Sequence, residues 1–299
     1  LRYYYERLCA IAPIDEVNED DDPAAVGVLL HNVLRDFYAP AVGKTVRRDA
    51  QSGDPELPFL DEKALRALFR TALDASGLEA ALPPESAAML SVTGPERLGL
   101  FLQPEQTEVL SLEEEYDAEI RVGGRVRRLT GNLDRVDWRE QEDPEGALDE
   151  GAVILDYKTG RIKALRPDIW ADDAFWDALD PEKAAEAASE PDPEHDFLPI
   201  MAQRIPTVQL LYYCYLYGQA TGKPVLDAAF VALGEDGGER PLFGKGMTIE
   251  ERERALSLIP RLIGFILLHM ELCPEFRPRE GAHCRWCSWR NVCIISSQQ

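Results

Sequence analysis

Val153-Ile154-Leu155-Asp156-Tyr157-Lys158-Thr159-Gly160 is the stretch on which the fold turns. Residues 152–157 are nearly continuous in apolar side chains, as expected of a strand buried on both faces. Alternation along such a strand puts Asp156 and Lys158 on one face, about 6.6 Å apart. Just upstream, Gly131-Asn132-Leu133-Asp134-Arg135-Val136-Asp137 supplies a second acid. Alternation there sets Asp134 opposite Arg135 and on the face of Val136, and an acid among core-facing positions is costly unless paired or bound to metal. Two carboxylates and a lysine at the end of a buried strand suit phosphodiester hydrolysis. The acids hold a divalent ion that polarises the phosphate, and the lysine neutralises developing charge or positions water. Asp156 and Lys158 by themselves could equally be a surface ion pair, with Asp134 capping a turn.

The period of the pattern organises the rest. Residues 112–122 and 126–138 alternate as two strands of a hairpin around Gly123-Gly124. Residues 26–38, 62–75 and 95–102 have helical spacing, with Val26, Leu29, Leu30, Val33, Leu34 and Phe37 on one stripe of the first. An aromatic run at 1–8 reads as a helix start and 15–23 as an acidic loop. Beyond the central strand, 207–217 reads as a helix, 225–233 as a strand and 248–271 as a long helix. Helices first, then hairpin, central strand, helix, strand and helix describe an α/β domain with a mixed sheet.

The 299 residues are 45% hydrophobic and 29% charged, with a net charge of −22. No stretch reaches the roughly 20 apolar residues of a membrane span, and no charged-then-apolar leader opens the chain. The start at Leu1 suggests a fragment of a longer protein or missing first residues. The acidity argues against a nucleic-acid partner until its distribution is considered. Residues 168–196 carry eleven acids and one lysine and read as a mobile loop or short helix; 139–150 carry six acids and one arginine. Five arginines fall within 121–135, and Lys158, Arg161, Lys163 and Arg166 follow, so the basic runs are expected to surround the candidate site.

These motifs resemble the PD-(D/E)XK nuclease superfamily, in its RecB-like branch, most nearly the C-terminal nuclease domain of AddB-type helicase–nucleases. Gly27-Val28-Leu29-Leu30-His31 resembles that branch's upstream helix, and Gln209-Leu210-Leu211-Tyr212-Tyr213 its downstream Q-x-x-x-Y motif. The order and spacing of all four motifs agree over nearly the whole chain. The resemblance implies a restriction-endonuclease-like core, a central mixed sheet flanked by helices, in one domain over 1–299. That domain divides into a helical part at 1–110, a catalytic core at 111–235 with the acidic insertion, and a helix and cysteine cluster at 236–299. It further implies that His31, Asp134, Asp156 and the Tyr157 carbonyl ligate Mg²⁺ or Mn²⁺, and that Lys158 is the catalytic lysine. Gln209 and Tyr213, four apart and so on one helix face, would organise the site or touch the DNA backbone. A histidine on an apolar stripe, as His31 is, could otherwise be a core residue, and Gln209 with Tyr213 a buried polar pair.

Cys284-Arg285-Trp286-Cys287 and Cys293 have the spacing C-x₂-C-x₅-C, which suits zinc or an iron–sulfur cluster. His283 could be a fourth zinc ligand. The family resemblance instead implies a [4Fe-4S] cluster whose remaining cysteine would precede Leu1; Cys9 lies on the other side of the aromatic run. Cys214 and Cys273 read as core or incidental. The expected activity is metal-dependent DNA cleavage, as an exonuclease on single-stranded ends in recombination or repair, in the cytoplasm and beside a helicase subunit or domain. The competing expectation is a non-catalytic DNA-binding or scaffold domain of a helicase–nuclease complex.

Overall fold

The computed structural model describes residues 9, 23–46, 62–101, 107–163, 165–181, 183, 197–244, 246–272, 284, 287, 289 and 293. The expected aromatic helix start at 1–8 and most of the acidic loop lie outside them. Among the described residues six strands form one sheet in sequence order: β1 (Lys44–Val46), β2 (Thr107–Val122), β3 (Arg125–Glu142), β4 (Leu148–Lys158), β5 (Val225–Ala232) and β6 (Glu239–Pro241). All neighbours run antiparallel except β4 and β5, which are parallel. The sheet is therefore mixed. Gly123 and Gly124 both have positive φ, so the β2–β3 connection is a two-residue turn of the kind that matches strand twist.

β4 is central because its residues 151–157 are buried without interruption, and all eight residues of β5 are buried beside it. Its side chains alternate between two cores. Ala152 and Ile154 join one cluster with α7 (Gln209–Thr221) and α8 (Ile249–Leu272). Val153, Leu155 and Tyr157 join the other, with α1 (Pro23–Tyr38), α2 (Glu62–Ser76), the short α3 (Leu78–Ala81) and α4 (Pro84–Phe101). This arrangement is the expected α/β architecture, a mixed sheet covered by helices on both faces.

Several elements depart from expectation. The helix expected at 95–102 begins eleven residues earlier and runs through Pro95. Leu90, Leu98 and Phe101 bury against the α1–α2 layer, and Gly94 admits the ring of Phe69, so packing outweighs the lost proline hydrogen bond. The first part of the acidic stretch is packed rather than loose. A 3₁₀ turn (Pro167–Ala171) and α5 (Asp173–Ala178) bury Ile169, Trp170, Phe175 and Trp176. The acids of this segment pair outward: Asp172 with Arg204 on α6 (Phe197–Arg204), Asp173 with Arg254, and Asp177 with Arg261. Residues 184–196 lie outside the described residues. Finally, α8 is long and apolar enough by length and composition to cross a membrane, which the sequence pattern did not suggest. Here Ala255, Ile259, Leu262, Phe265 and Leu268 pack into the core against the sheet, while Arg261 pairs with Asp177.

Candidate active site

The site forms where β3 and β4 part beside α1 and α7. Leu133 and Val136 both belong to the α7-side core although they are three residues apart. Simple alternation, which puts Asp134 on the face of Val136, is therefore interrupted between them. Opposite, Glu113 on β2 has φ 47, the positive-φ non-glycine among the described residues. Strained backbone of this kind is maintained only when surroundings over-determine it, and it concentrates at functional sites. The interruption turns carboxylates of both strands towards α1.

Main-chain atoms of Tyr157 tie the two halves together. Its N–H donates to Asp134 Oδ2 at 2.8 Å, and its carbonyl accepts from His31 Nε2 at 3.0 Å. The Tyr157 ring, facing the α1–α2 core, meets the His31 ring edge-on with centroids 5.4 Å apart. His31 Nδ1 then lies 3.5 Å from Asp134 Oδ2 and 3.7 Å from Glu113 Oε1. Asn132 Nδ2 donates to the other Glu113 oxygen at 2.9 Å. On the α7 side, Lys158 Nζ lies 2.6 Å from Asp156 Oδ2, and Gln209 Nε2 donates to Asp156 Oδ1 at 2.7 Å. The same nitrogen donates to Tyr213 Oη at 3.0 Å, leaving the phenolic proton for another acceptor.

Burial and the nearby Asp156 charge push the Asp134 carboxyl up to about 6. Burial likewise raises Asp156, against the opposing pull of Lys158. Because Nε2 donates to a carbonyl, Nδ1 of a neutral His31 points a lone pair at two carboxylates. That geometry calls for positive charge among the three groups. Ligand atoms of His31, Glu113 and Asp134 all lie within 4.8 Å of one another, and imidazole with two carboxylates suits Mn²⁺, Mg²⁺ or similar ions. The donor set fits a divalent cation.

The structure thus gathers His31, Asp134, Asp156, Tyr157, Lys158, Gln209 and Tyr213 at one place. The Tyr157 carbonyl is engaged by His31, and Glu113 rather than Asp156 completes the close triplet. Glu113 was legible in one way: Glu113-Glu114-Glu115 places three acids in succession where a half-buried strand alternates.

The first basic run does not surround the site. Arg125 and Arg127 pair with Glu271, and Arg128 lies 3.4 Å from Asp117. Arg125 is nine residues from Asp134 along β3, roughly 30 Å at the strand rise. Arg135 is buried, bidentate to Asp137, with its guanidinium 3.9 Å above the Tyr38 ring. Of the second run, Arg161 and Lys163 are exposed beyond Lys158, and Arg166 pairs with Asp168.

Cys214 is buried on α7, while Cys273 and His283 lie outside the described residues. Cys284, Cys287 and Cys293 form no disulfide. Among the described residues they make no set of ligand atoms within 4.8 Å, whereas tetrahedral zinc brings sulfurs to about 3.8 Å of one another at its usual bond length.

Among curated proteins none matches the chain. The solved structure described as "Crystal structure of SSO0001" is similar over 90% of this chain and 96% of that one, at 14% identity and a TM-score of 0.29, too loose a likeness to carry an argument. The model of the PD-(D/E)XK nuclease superfamily matches residues 1–294. The chain belongs to the PD-(D/E)XK nuclease superfamily.

Proposed function

We propose that the protein is a divalent-metal-dependent nuclease that hydrolyses DNA phosphodiester bonds. The observation that carries this reading is the convergence of His31, Glu113 and Asp134 beside the Asp156–Lys158 pair. His31, Glu113 and Asp134, with Asp156 adjacent, would hold Mg²⁺ or Mn²⁺, which supplies charge to polarise a phosphate oxygen. Lys158 offsets the negative charge that grows on the phosphate in the transition state and orients the attacking water. Gln209 fixes the Asp156 carboxylate through Oδ1, so that Oδ2 faces the lysine. Tyr213, already accepting from Gln209, donates its free proton to a phosphate oxygen.

The motif order further supports an exonuclease acting on single-stranded ends in recombination or repair, in the cytoplasm beside a helicase subunit or domain. The C-x₂-C-x₅-C spacing supports Cys284, Cys287 and Cys293 as ligands of a [4Fe-4S] cluster. One preparation tests these proposals. End-labelled single- and double-stranded DNA should be degraded with Mn²⁺ or Mg²⁺ and not with chelator, and Lys158→Ala should lose roughly 10²-fold or more in kcat. Undiminished cleavage by Lys158→Ala would sink the mechanism. Internal nicking of circular single strands would overturn exonuclease action, and a colourless, iron-free protein would overturn the cluster.

A further inference from the structure

Lys158 is the last residue of β4, where a strand end is ordinarily free to fray, yet its ammonium must be held against Asp156. The turn joining β5 to β6, residues 233–238, is packed against this end at the level of the backbone. Gly234 N–H donates to the Lys158 carbonyl at 3.2 Å. A Cβ on Gly234 would overlap the Thr159 carbonyl oxygen and lie 2.8 Å from its carbonyl carbon. The atoms in the way are main chain, so no rotamer change relieves the overlap. On the turn's other side, Gly237 has φ 67, and a Cβ there would lie 2.8 Å from Phe101 N at the end of α4. The turn is a wedge, seated on α4 at one glycine and on the β4 end at the other. Gly27 on α1 approaches from a third direction, with its Cβ position 3.4 Å from Thr159 Oγ1.

We propose that Gly234 is a positioning residue for Lys158: the wedge fixes the main chain at Lys158 and Thr159, and thereby the place of the ammonium beside Asp156. The proposal rests on the nuclease reading. A side chain at 234 displaces Thr159 and carries Lys158 with it, whereas His31, Glu113 and Asp134 stand on α1, β2 and β3, which Gly234 does not touch. Displacement of a catalytic group by about 1 Å can cost on the order of a hundredfold in rate.

The test compares Gly234→Ala with Gly160→Ala, one residue beyond Thr159, where a Cβ meets nothing within 4 Å. Steady-state cleavage of single-stranded DNA is measured well below each variant's Tm, with Mn²⁺ binding followed by the electron paramagnetic resonance of free Mn²⁺. Gly234→Ala is expected to lose about a hundredfold in kcat, with KM and Mn²⁺ affinity unchanged, and Gly160→Ala to match the parent protein. A purely structural glycine would lower Tm and leave kcat alone. A folded Gly234→Ala with kcat within about twofold of the parent overturns the proposal. Should Gly234→Ala not fold, Asp236→Ala decides the matter. Asp236 is exposed and accepts from Gly238 N–H and Arg240, so its loss loosens the wedge without burying anything. A fall in kcat at constant KM and Mn²⁺ affinity supports the proposal, and an unchanged kcat overturns it. Failure of the parent protein to cleave any DNA would instead overturn the nuclease reading itself.

Discussion

The fold opposes the charge that Asp134 carries at neutral pH. Its carboxyl titrates near 6 because burial and Asp156 oppose its charge, whereas an unfolded chain leaves it near 3.8. The folded state therefore binds that proton more tightly than the unfolded one. The resulting stabilisation is complete below about pH 4 and is lost as pH rises through about 6. Asp134→Asn keeps an acceptor for the Tyr157 N–H and removes the charge. It should raise Tm at pH 8 without divalent ions, by at most about 3 kcal/mol in stability, and have no such effect near pH 4. Mn²⁺ should raise the parent's Tm at pH 8 and leave the variant's unmoved, as thermal melts at the two pH values would show. Equal melting of the two proteins at pH 8 would mean that Asp134 carries no such burden.

At the scale of elements, β3 combines two opposite treatments of charge within four residues. Asp134 sits at a break in strand alternation with only the His31 imidazole, 3.5 Å away, as its cationic partner among the described residues, while Asp137 is fully buried between Arg135 and Arg139. Arg139 reaches on to Glu239, joining β3 to β6 across the sheet. Burial would raise the Asp137 carboxyl, but Arg135 and Arg139 hold it below the ordinary range. Removing one partner from such a group leaves buried charge uncompensated, so Asp137→Ala should cost about 3–5 kcal/mol. Urea titration checks this, and a loss under about 1 kcal/mol would show that the network is not needed for folding.

The hairpin, β4 and α7 were legible because their patterns are long and periodic, and the shared face of Asp156 and Lys158 follows from period two. The buried role of Arg135 was not, and for Glu113 the sequence offered only the run of three acids, not its place beside His31 and Asp134. Both depend on where alternation breaks and on which core the strand faces beyond the break, which is decided by the paired strand and by Tyr38 of α1 rather than by neighbours in sequence. The helix through Pro95 was hidden for a related reason, since the packing that sustains it comes from α1 and α2. Gly234 had no signal, because its partner lies 75 positions away along the chain.

For the whole molecule, the net charge is −22, and Arg125, Arg127, Arg128 and Arg166 are each paired with an acid. Lys158 at the site and the exposed Arg161 and Lys163, three and five residues on, are the cations available nearest to it in sequence. Neutralisation of about three phosphates on a single strand implies a slope of about −2 in log K against log salt. A filter-binding or anisotropy titration across salt concentrations measures it. A slope steeper than about −5 would show that other cations take part.

Tyr157 carries a consequence of a different kind. Asp134 and His31 are joined through one residue's amide and carbonyl, atoms that every amino acid except proline supplies alike. A systematic side-chain scan is blind to this joint, and the chain can vary position 157 to suit its core without disturbing it. Only chemistry on the peptide bond reaches it. Replacing residue 157 by its α-hydroxy analogue, so that an ester oxygen stands where the N–H was, would release Asp134 while every side chain remained in place.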